Sequence, residues 1–258
     1  MDCILKTENI TKRFGGVTAV NSFSMELYEG EIRGIIGPNG AGKTTIFNLL
    51  SHIYDIDSGR IIFDSKDITK STQVNVARMG LSRTFQNTRL FSGLSVLDNV
   101  KSALDYAGKY TILQALFKTP KVRREEKRIS DEAYRCLEIL KLGQYAKQKA
   151  TSLPYGLQRR IEIARAIATH PKVLMLDEPA AGLNPDEMVG LIEFIRLIKK
   201  EFNCSILIIE HRMDVIMTLC EHIYVQNFGE TIAHGTPCEI KCDPFVLKAY
   251  LGEEGESL

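Results

Sequence analysis

The chain has 258 residues, which is enough for one large domain or two small ones. Its hydrophobic content of 44% is ordinary for a globular protein, and a net charge of +1 argues against a strongly basic nucleic-acid-binding surface. No apolar run reaches the ~18 residues that a membrane span needs, and the start MDCILKTENI lacks the regions of a signal peptide. The six cysteines have no metal-ligand spacing, so we expect free thiols in a cytosolic protein.

The first part of the chain has the pattern of antiparallel strands. Residues Ile4 to Tyr28, and then Arg60 to Ile68, alternate between apolar and polar side chains and carry turn residues. A small antiparallel sheet is therefore predicted in this region.

A glycine-rich loop follows a predicted strand, EIRGIIG, and precedes a helical pattern. It fits G-x-x-x-x-G-K-[ST], whose glycines let backbone amides surround an anion at a helix N-terminus. We expect Lys43 to contact the terminal phosphates of a nucleoside triphosphate and the Thr44 hydroxyl to bind Mg²⁺. The loop residues predicted to bind the nucleotide are Gly37, Pro38, Asn39, Gly40, Ala41, Gly42, Lys43, Thr44 and Thr45.

The middle of the chain, from about Val96 to Ala150, contains no strand-like run and is predicted to be a helical insertion. Its charged segment Lys121 to Arg128 is expected to be a solvated helix face. The next stretch, TSLPYGLQRR, opens another helical pattern with a proline, a tyrosine and a glycine. The residues predicted to form the apolar face of the insertion are Ile129, Ala133, Cys136, Leu137 and Leu140.

The C-terminal half alternates strands and helices. The continuous apolar runs VLMLD and SILIIEH predict buried parallel strands, so the core is expected to be an α/β layer fold. Between them, Asn184 is predicted to cap a helix whose first residue is Pro185. The predicted apolar face of that helix consists of Leu191, Ile192, Ile195, Ile198 and Phe202.

Two adjacent acids end the strand VLMLD. Asp177 lies at the carboxyl end, where ligands of open α/β sheets collect, and is predicted to hold Mg²⁺. Adjacent strand residues point to opposite sides, so Glu178 can have another task, and we expect it to orient or deprotonate an attacking water. No N-K-x-D guanine-reading motif is present, which argues against a GTPase.

These motifs together resemble those of the ATP-binding-cassette (ABC) ATPases. The loop at Gly37, RTFQ ending at Gln86, LPYGLQRR, VLMLDEP and IIEH ending at His211 occur in that family's order and approximate spacing. More narrowly, RTFQNTRLF, LMLDEPAAGLNP and the C-terminal IYVQNFGETIAHGTP resemble the ATPase subunits of branched-chain amino-acid importers. Those importers have two distinct ATPase subunits, and this chain is similar to the one with the longer helical insertion.

The resemblance implies roles for three further residues. Phe14, in KRFGG, resembles the aromatic residue that stacks on adenine. Gln86 resembles the residue that reaches Mg²⁺ and the attacking water, and His211 the histidine that contacts the γ-phosphate. The implied catalytic set is thus Glu178, His211 and Gln86.

The stretch TSLPYGLQRR resembles the family signature, usually Leu-Ser-Gly-Gly-Gln. In that family the signature faces the nucleotide held by a second ATPase subunit. Pro154, Tyr155 and Leu157 depart from the pattern, and proline offers neither a hydroxyl nor an N–H. We expect this composite site to hold phosphate less tightly. The signature residues are Leu153, Pro154, Tyr155, Gly156, Leu157 and Gln158.

The resemblance implies an α/β fold, namely a P-loop NTPase (RecA-like) core with a mostly parallel sheet, a small antiparallel β-subdomain and a helical subdomain. A single ABC ATPase domain would cover 1–258. Its core with the antiparallel sheet would occupy about 1–86 and 160–258, and the helical subdomain about 87–159.

The implied function is ATP hydrolysis, with ATP and Mg²⁺ as cofactors, coupled to transport at the cytoplasmic face of the membrane. Expected partners are transmembrane permease subunits, a second ATPase subunit in a head-to-tail dimer and, indirectly, an extracytoplasmic solute-binding protein; no nucleic acid is expected. The ATPase subunit of a urea or lipopolysaccharide transporter, and a soluble cassette ATPase outside transport, remain alternatives. A P-loop metabolic kinase is remote, because it explains neither Gln86 nor the signature-like helix.

Overall fold

The computed structural model describes residues 2–84, 90–104 and 120–254, and the side chains of that range up to residue 250. Two compact units divide the chain. The first comprises Met1–Gln86, Lys172–Gly182 and Asn203–Leu258, and the second comprises Asn87–Pro171 and Leu183–Phe202. Across the part of the chain that the structure describes, no helix combines the length and the apolar character that crossing a bilayer requires.

The first unit contains the predicted antiparallel sheet, and it has four strands in the order β2-β1-β4-β5. Leu5, Ile10 and Phe23 lie in the core of this unit, and the serines on either side of Phe23 are exposed. The strands are β1 (Cys3–Phe14), β2 (Val17–Tyr28), β4 (Ser58–Phe63) and β5 (Lys66–Asp67).

A six-stranded sheet of the same unit has the order β10-β9-β3-β8-β7-β6 and is parallel except for the hairpin between β9 and β10. Every residue of β3, β7 and β8 is buried, which explains their continuous apolar runs. The predicted mostly parallel sheet is confirmed. Its strands are β3 (Ile32–Ile36), β6 (Leu81–Arg83), β7 (Val173–Asp177), β8 (Ser205–Ile209), β9 (His222–Asn227) and β10 (Glu230–Gly235).

Five helices of the first unit lie within the described residues. The first of them follows β3 directly and buries Ile46, Phe47, Leu49 and Leu50 in the core of this unit. These helices are α1 (Lys43–Leu50), α2 (Gln73–Arg78), α7 (Met213–Leu219), α8 (Pro237–Cys242) and α9 (Pro244–Glu254).

The regular elements of the second unit within its described residues are helices, together with one isolated bridge between Ser95 and Lys149. The predicted apolar face of the insertion is buried, while Arg128 is exposed and forms ion pairs with Glu125 and Glu132, as a solvated face should. The helices are α3 (Val96–Leu104), α4 (Pro120–Ile139), α5 (Tyr155–Ile167) and α6 (Pro185–Phe202), with 3-10 turns at Gly143–Tyr145 and Ala150–Ser152.

The α6 helix begins where the sequence predicted. The Glu187 amide donates to Asn184 Oδ1 (2.9 Å) and the Asn184 amide donates to Glu187 Oε2 (3.1 Å), which is a reciprocal capping box. Its apolar face differs in part from the prediction, because Ile192 and Phe202 are only half-buried. Met188 and Phe194 are buried in their place, at helical spacing from the other buried residues. The buried residues of the helix are Met188, Leu191, Phe194, Ile195 and Ile198.

A buried ion pair lies within α5. Arg159 is 0% exposed and Glu162 is 1% exposed, and Arg159 Nη1 donates to Glu162 Oε2 over 2.7 Å. Removing one partner of such a pair leaves the other charge buried without compensation. The stability of α5, which begins within the signature-like segment, therefore depends on this buried ion pair.

We expect Arg159→Met to lower the free energy of unfolding by about 3–5 kcal/mol, because Glu162 would remain buried without its ion-pair partner. Urea unfolding followed by circular dichroism measures the change. Arg160→Met is the matched control, since Arg160 is only half-buried, with its guanidinium carbon 5.7 Å from the centre of the Phe194 ring. The control should cost about 1 kcal/mol, and equal losses in both variants would contradict the prediction.

Candidate functional site

The glycine-rich loop lies between β3 and α1, in the strand–loop–helix order that the motif requires. Gly37 has φ 149° and Gly42 has φ 95°. A Cβ at Gly37 would clash with the Gln226 carbonyl of β9, and one at Gly42 with the Ala19 carbonyl of β2. These two positions therefore accept only glycine, because the neighbouring strands approach the loop backbone closely.

Lys43 and the beginning of α1 form the electropositive part of the loop. The Lys43 side chain is 6% exposed, and its Nζ donates to the carbonyls of Gly37 (2.6 Å) and Pro38 (2.7 Å). No side chain caps α1, and its first turn contains no acid. Backbone amides and the helix dipole there suit an anion such as a phosphate.

The remaining loop residues present their side chains to solvent or to the core. Asn39, Gly40 and Thr44 are exposed, whereas Pro38 and Ala41 are buried. An exposed Thr44 at the second position of α1 has its hydroxyl in reach of a ligand above the loop. The arrangement fits a bound nucleoside triphosphate and its metal ion.

Phe14, which ends β1, is 43% exposed. Its ring makes an edge-to-face contact with Tyr54, with centres 5.3 Å apart, and Lys12 Nζ lies 5.6 Å from the ring centre. Asp57 in turn accepts from Lys12 Nζ at 2.9 Å. An exposed aromatic ring braced by a second ring can stack on a base. Tyr54 had no sequence signal of its own.

Asp177 ends β7 and is 2% exposed. Its Oδ2 accepts from Arg83 Nη2 over 2.7 Å, and its amide donates to Thr84 Oγ1 over 3.3 Å. The predicted metal-binding carboxylate is thus held by a buried guanidinium that the sequence did not single out. Gln86, the other residue predicted to contact the metal, lies outside the described residues.

Glu178 and His211, both predicted to be catalytic, lie together. Glu178 Oε2 is 3.4 Å from His211 Nε2, and the Glu178 amide donates to the Ile209 carbonyl over 2.9 Å. Glu178 has φ 45°, a left-handed conformation that is uncommon for residues other than glycine. The two adjacent carboxylates have different partners, since Asp177 pairs with Arg83 and Glu178 with His211.

Glu210 is a residue of this site that the sequence reasoning missed. It is 0% exposed, and its carboxylate accepts from the amides of Ala180 (2.6 Å), His211 (3.1 Å) and Arg212 (3.3 Å). Burial raises the pKa of Glu210, although these amides favour the ionised form. The only sequence signal is an acid directly after a buried strand. Glu210 fixes the backbone on which His211 lies.

The signature-like segment belongs to the second unit. Pro154 precedes α5 and no side chain caps that helix, while the amides of Leu157 and Gln158 both donate to the Pro154 carbonyl (3.0 Å). Gln158 Nε2 donates to the Leu153 carbonyl (2.8 Å). Tyr155 is 41% exposed. The segment thus forms the N-terminus of α5 without a side-chain cap.

Gly156 is buried beneath α6. A Cβ at this position would lie 2.9 Å from Glu187 Oε1, so a larger residue would displace the Glu187 side chain. The carboxylate of Glu187 therefore lies beside the first turn of α5 as well as capping α6.

Fold and loop together define a P-loop nucleoside triphosphatase. Residues 20–181 match the family described as ABC transporter, and residues 230–256 match the family described as branched-chain amino acid ATP-binding cassette transporter. The chain belongs to the ABC transporter ATP-binding cassette family, and it is an ATPase of that class.

Relatives of known description extend over nearly the whole chain. It is 44% identical to the high-affinity branched-chain amino acid transport ATP-binding protein BraF of Pseudomonas aeruginosa over 97% of this chain and 98% of that one. The corresponding protein LivG of Escherichia coli K12 is also 44% identical, with the same coverage. The chain in the crystal structure of the ADP conformation of MJ1267, an ATP-binding cassette of an ABC transporter, is 34% identical to this chain. The two superpose with a TM-score of 0.85, over 98% of this chain and all of that chain.

The raised pKa of Glu210 predicts a pH dependence of stability. The native protein binds this proton more tightly than the unfolded chain, so the stabilisation is complete below the ordinary pKa of 4.5 and is lost as the pH rises through the native value. Glu210→Gln keeps an acceptor oxygen but does not ionise. Urea unfolding from about pH 4 to about pH 7 should show a smaller decline for Glu210→Gln than for the wild type.

Glu29→Gln is the control for this experiment, since Glu29 is exposed. It should follow the wild-type decline. If Glu210→Gln also followed the wild-type curve, the carboxyl would titrate alike in the native and unfolded chains and the prediction would be wrong.

Proposed function

We propose that this chain is the ATP-hydrolysing subunit of an importer of branched-chain or hydrophobic amino acids. The observation that carries the proposal is the conjunction, in one unit, of a glycine-only phosphate loop and a carboxylate–imidazole pair 3.4 Å apart at the ends of neighbouring strands. The first provides anion binding, and the second provides groups able to handle a water molecule.

In this proposal the loop amides and Lys43 bind the phosphates of ATP, and Phe14 stacks on the adenine. Support comes from the uncapped α1 N-terminus and the exposed, braced ring of Phe14. Base stacking is worth roughly 1–3 kcal/mol and does not discriminate strongly between bases. Nucleotide selectivity should therefore be weak.

We assign Mg²⁺ to Thr44, Asp177 and Gln86, a hydroxyl–carboxylate–amide set of oxygen donors that suits this hard cation. Held by these residues, Mg²⁺ would supply positive charge to offset that of the phosphates during hydrolysis. Glu178 orients or deprotonates the attacking water, and His211 holds Glu178 and contacts the γ-phosphate. Glu210 keeps the His211 backbone in place through its amide.

The proposed assembly contains a second ATPase subunit whose nucleotide faces Leu153 to Gln158 of this chain. It also contains permease subunits and an extracytoplasmic solute-binding protein, with the ATPase on the cytoplasmic face of the membrane. The uncapped α5 N-terminus supports a role in facing an anion. A single ABC domain over 1–258, with its helical subdomain at about 87–159, is part of this proposal.

The amino-acid cargo rests on the relatives. Both curated proteins are named for branched-chain amino acid transport, and the C-terminal 230–256 segment matches a family of the same description. In the proposed transporter the cargo is bound by other subunits. The ATPase chain therefore does not contact the cargo, and its sequence indicates the cargo only through likeness to ATPase subunits of known transporters.

Measurement of ATPase turnover in membranes containing the complete transporter complex tests the proposal. Leucine, isoleucine and valine should stimulate turnover several-fold, and glutamate and lysine should not. Glu178→Gln should lower hydrolysis by at least about 100-fold while ATP remains bound, because only the water-activating group is lost. Lys43→Met, in contrast, should abolish both ATP binding and hydrolysis. Stimulation by urea or a lipid instead of amino acids would overturn the cargo, and full activity of Glu178→Gln would overturn the mechanism.

The signature departures predict a weak composite site. In the complete complex, Pro154→Ser with Leu157→Gln should raise turnover or apparent ATP affinity at least about threefold, because hydrogen bonds to charged groups contribute roughly 1.5–3 kcal/mol each. Pro154→Ala with Leu157→Met is the matched control, since it adds neither a hydroxyl nor a side-chain amide. Kinetics unchanged from wild type in the Ser/Gln variant would count against unequal sites.

A further inference from the structure

Arg83 joins three elements around the carboxylate of Asp177. It ends β6 beside β7, and its side chain is 7% exposed. Nη2 donates to Asp177 Oδ2 (2.7 Å), while Nη1 donates to Asn48 Oδ1 (2.7 Å) and Ser51 Oγ (3.1 Å). Its guanidinium carbon lies 5.5 Å from the centre of the Phe47 ring. This side chain has a fixed position in the core of the first unit.

Strand register explains how Arg83 reaches the carboxylate. Arg83 pairs with Met175 across the parallel strands. Asp177 follows Met175 by two residues, so the side chains of Arg83 and Asp177 project from the same face of the sheet. Helix α1 is on that face, since Asn48 and Ser51 both accept from the guanidinium.

Arg83 contacts the same face of α1 that carries Thr44, the proposed metal ligand of that helix. Thr44, Asn48 and Ser51 are spaced by four and three residues, so they lie along one face of α1. The guanidinium bound to Asn48 and Ser51 is therefore attached to the helical face that carries Thr44. Arg83 therefore links the Asp177 carboxylate to the helix that carries Thr44.

We propose that Arg83 is a positioning residue that fixes the separation and orientation of the Asp177 carboxylate relative to Thr44. The inference rests on the proposed function, because it concerns the metal site assigned there. Only a planar guanidinium holds a carboxylate through one nitrogen while the other nitrogen is anchored on a helix. A lysine would supply charge to Asp177 but would have a single nitrogen for all three acceptors.

The test compares Arg83→Lys with wild type in the full-length chain by equilibrium binding of a fluorescent ATP analogue. Binding is measured in excess EDTA and during titration with Mg²⁺. We expect the Mg²⁺ concentration for half-maximal effect to rise at least tenfold in Arg83→Lys, while affinity in EDTA stays within twofold. Arg60→Lys is the matched control, since Arg60 is exposed on β4, and it should behave as wild type.

A double-mutant comparison separates positioning from general support of the fold. Arg83→Lys should add no further Mg²⁺ effect to Asp177→Asn, because it acts through that carboxylate. Thermal unfolding monitors folding of every variant. If Arg83→Lys fails to fold, Asn48→Ala removes one helix anchor and should raise the Mg²⁺ requirement about threefold.

Three outcomes would overturn the inference. They are an unchanged Mg²⁺ requirement, an equal loss of binding with and without Mg²⁺, and an additive effect in the Asp177→Asn background. Wild-type protein that binds no nucleotide in either medium would instead refute the proposed function, and the inference with it. If only the inference about Arg83 is wrong, the wild-type protein still binds the nucleotide, and the two failures can be told apart.

Discussion

The site depends on how closely two strands approach the backbone of one loop. The Gln226 carbonyl of β9 occupies the space where a side chain at Gly37 would begin, and the Ala19 carbonyl of β2 does the same at Gly42. The loop is therefore held between the parallel and the antiparallel sheet of the first unit. A further bond, from the Gly229 amide to the Ala41 carbonyl (3.2 Å), fastens it to the β9–β10 turn. The antiparallel sheet thus has a structural task in the site, because without β2 the start of α1 and the position of Lys43 would be unconstrained on one side.

Two neighbouring strands end in three buried carboxylates, and each is stabilised by a different kind of partner. Asp177 faces the Arg83 guanidinium, Glu178 lies against the His211 imidazole, and Glu210 accepts from backbone amides. Charges this close would raise one another's pKa if they shared an environment. The two adjacent carboxylates Asp177 and Glu178 thus have different partners, and Glu178 has a left-handed backbone conformation.

Much of this arrangement is local and could be predicted from sequence. Continuous apolar runs indicated β3, β7 and β8, and the Asn184–Glu187 capping box, which fixes the start of α6, lies within four consecutive residues. The contacts that tune the site are not local. Arg83 and Asp177 are 94 residues apart and meet only because β6 pairs with β7, and the three residues of β6 are too few to show a pattern. Glu210 escaped notice because acceptance by three amides leaves no trace in the residues around it.

The two helix N-termini that we assign to phosphate differ in electrostatics, and the difference favours unequal roles. The α1 helix begins after a left-handed glycine, contains no acid in its first turn and has the ammonium of Lys43 over the loop. The α5 helix begins after Pro154 and has the Glu187 carboxylate beside Gly156. A negative charge there opposes a phosphate, although the Asn184 amide offsets part of it by donating to the same carboxylate. In the proposed two-subunit arrangement, α1 would therefore hold the phosphate more strongly than the α5 N-terminus does.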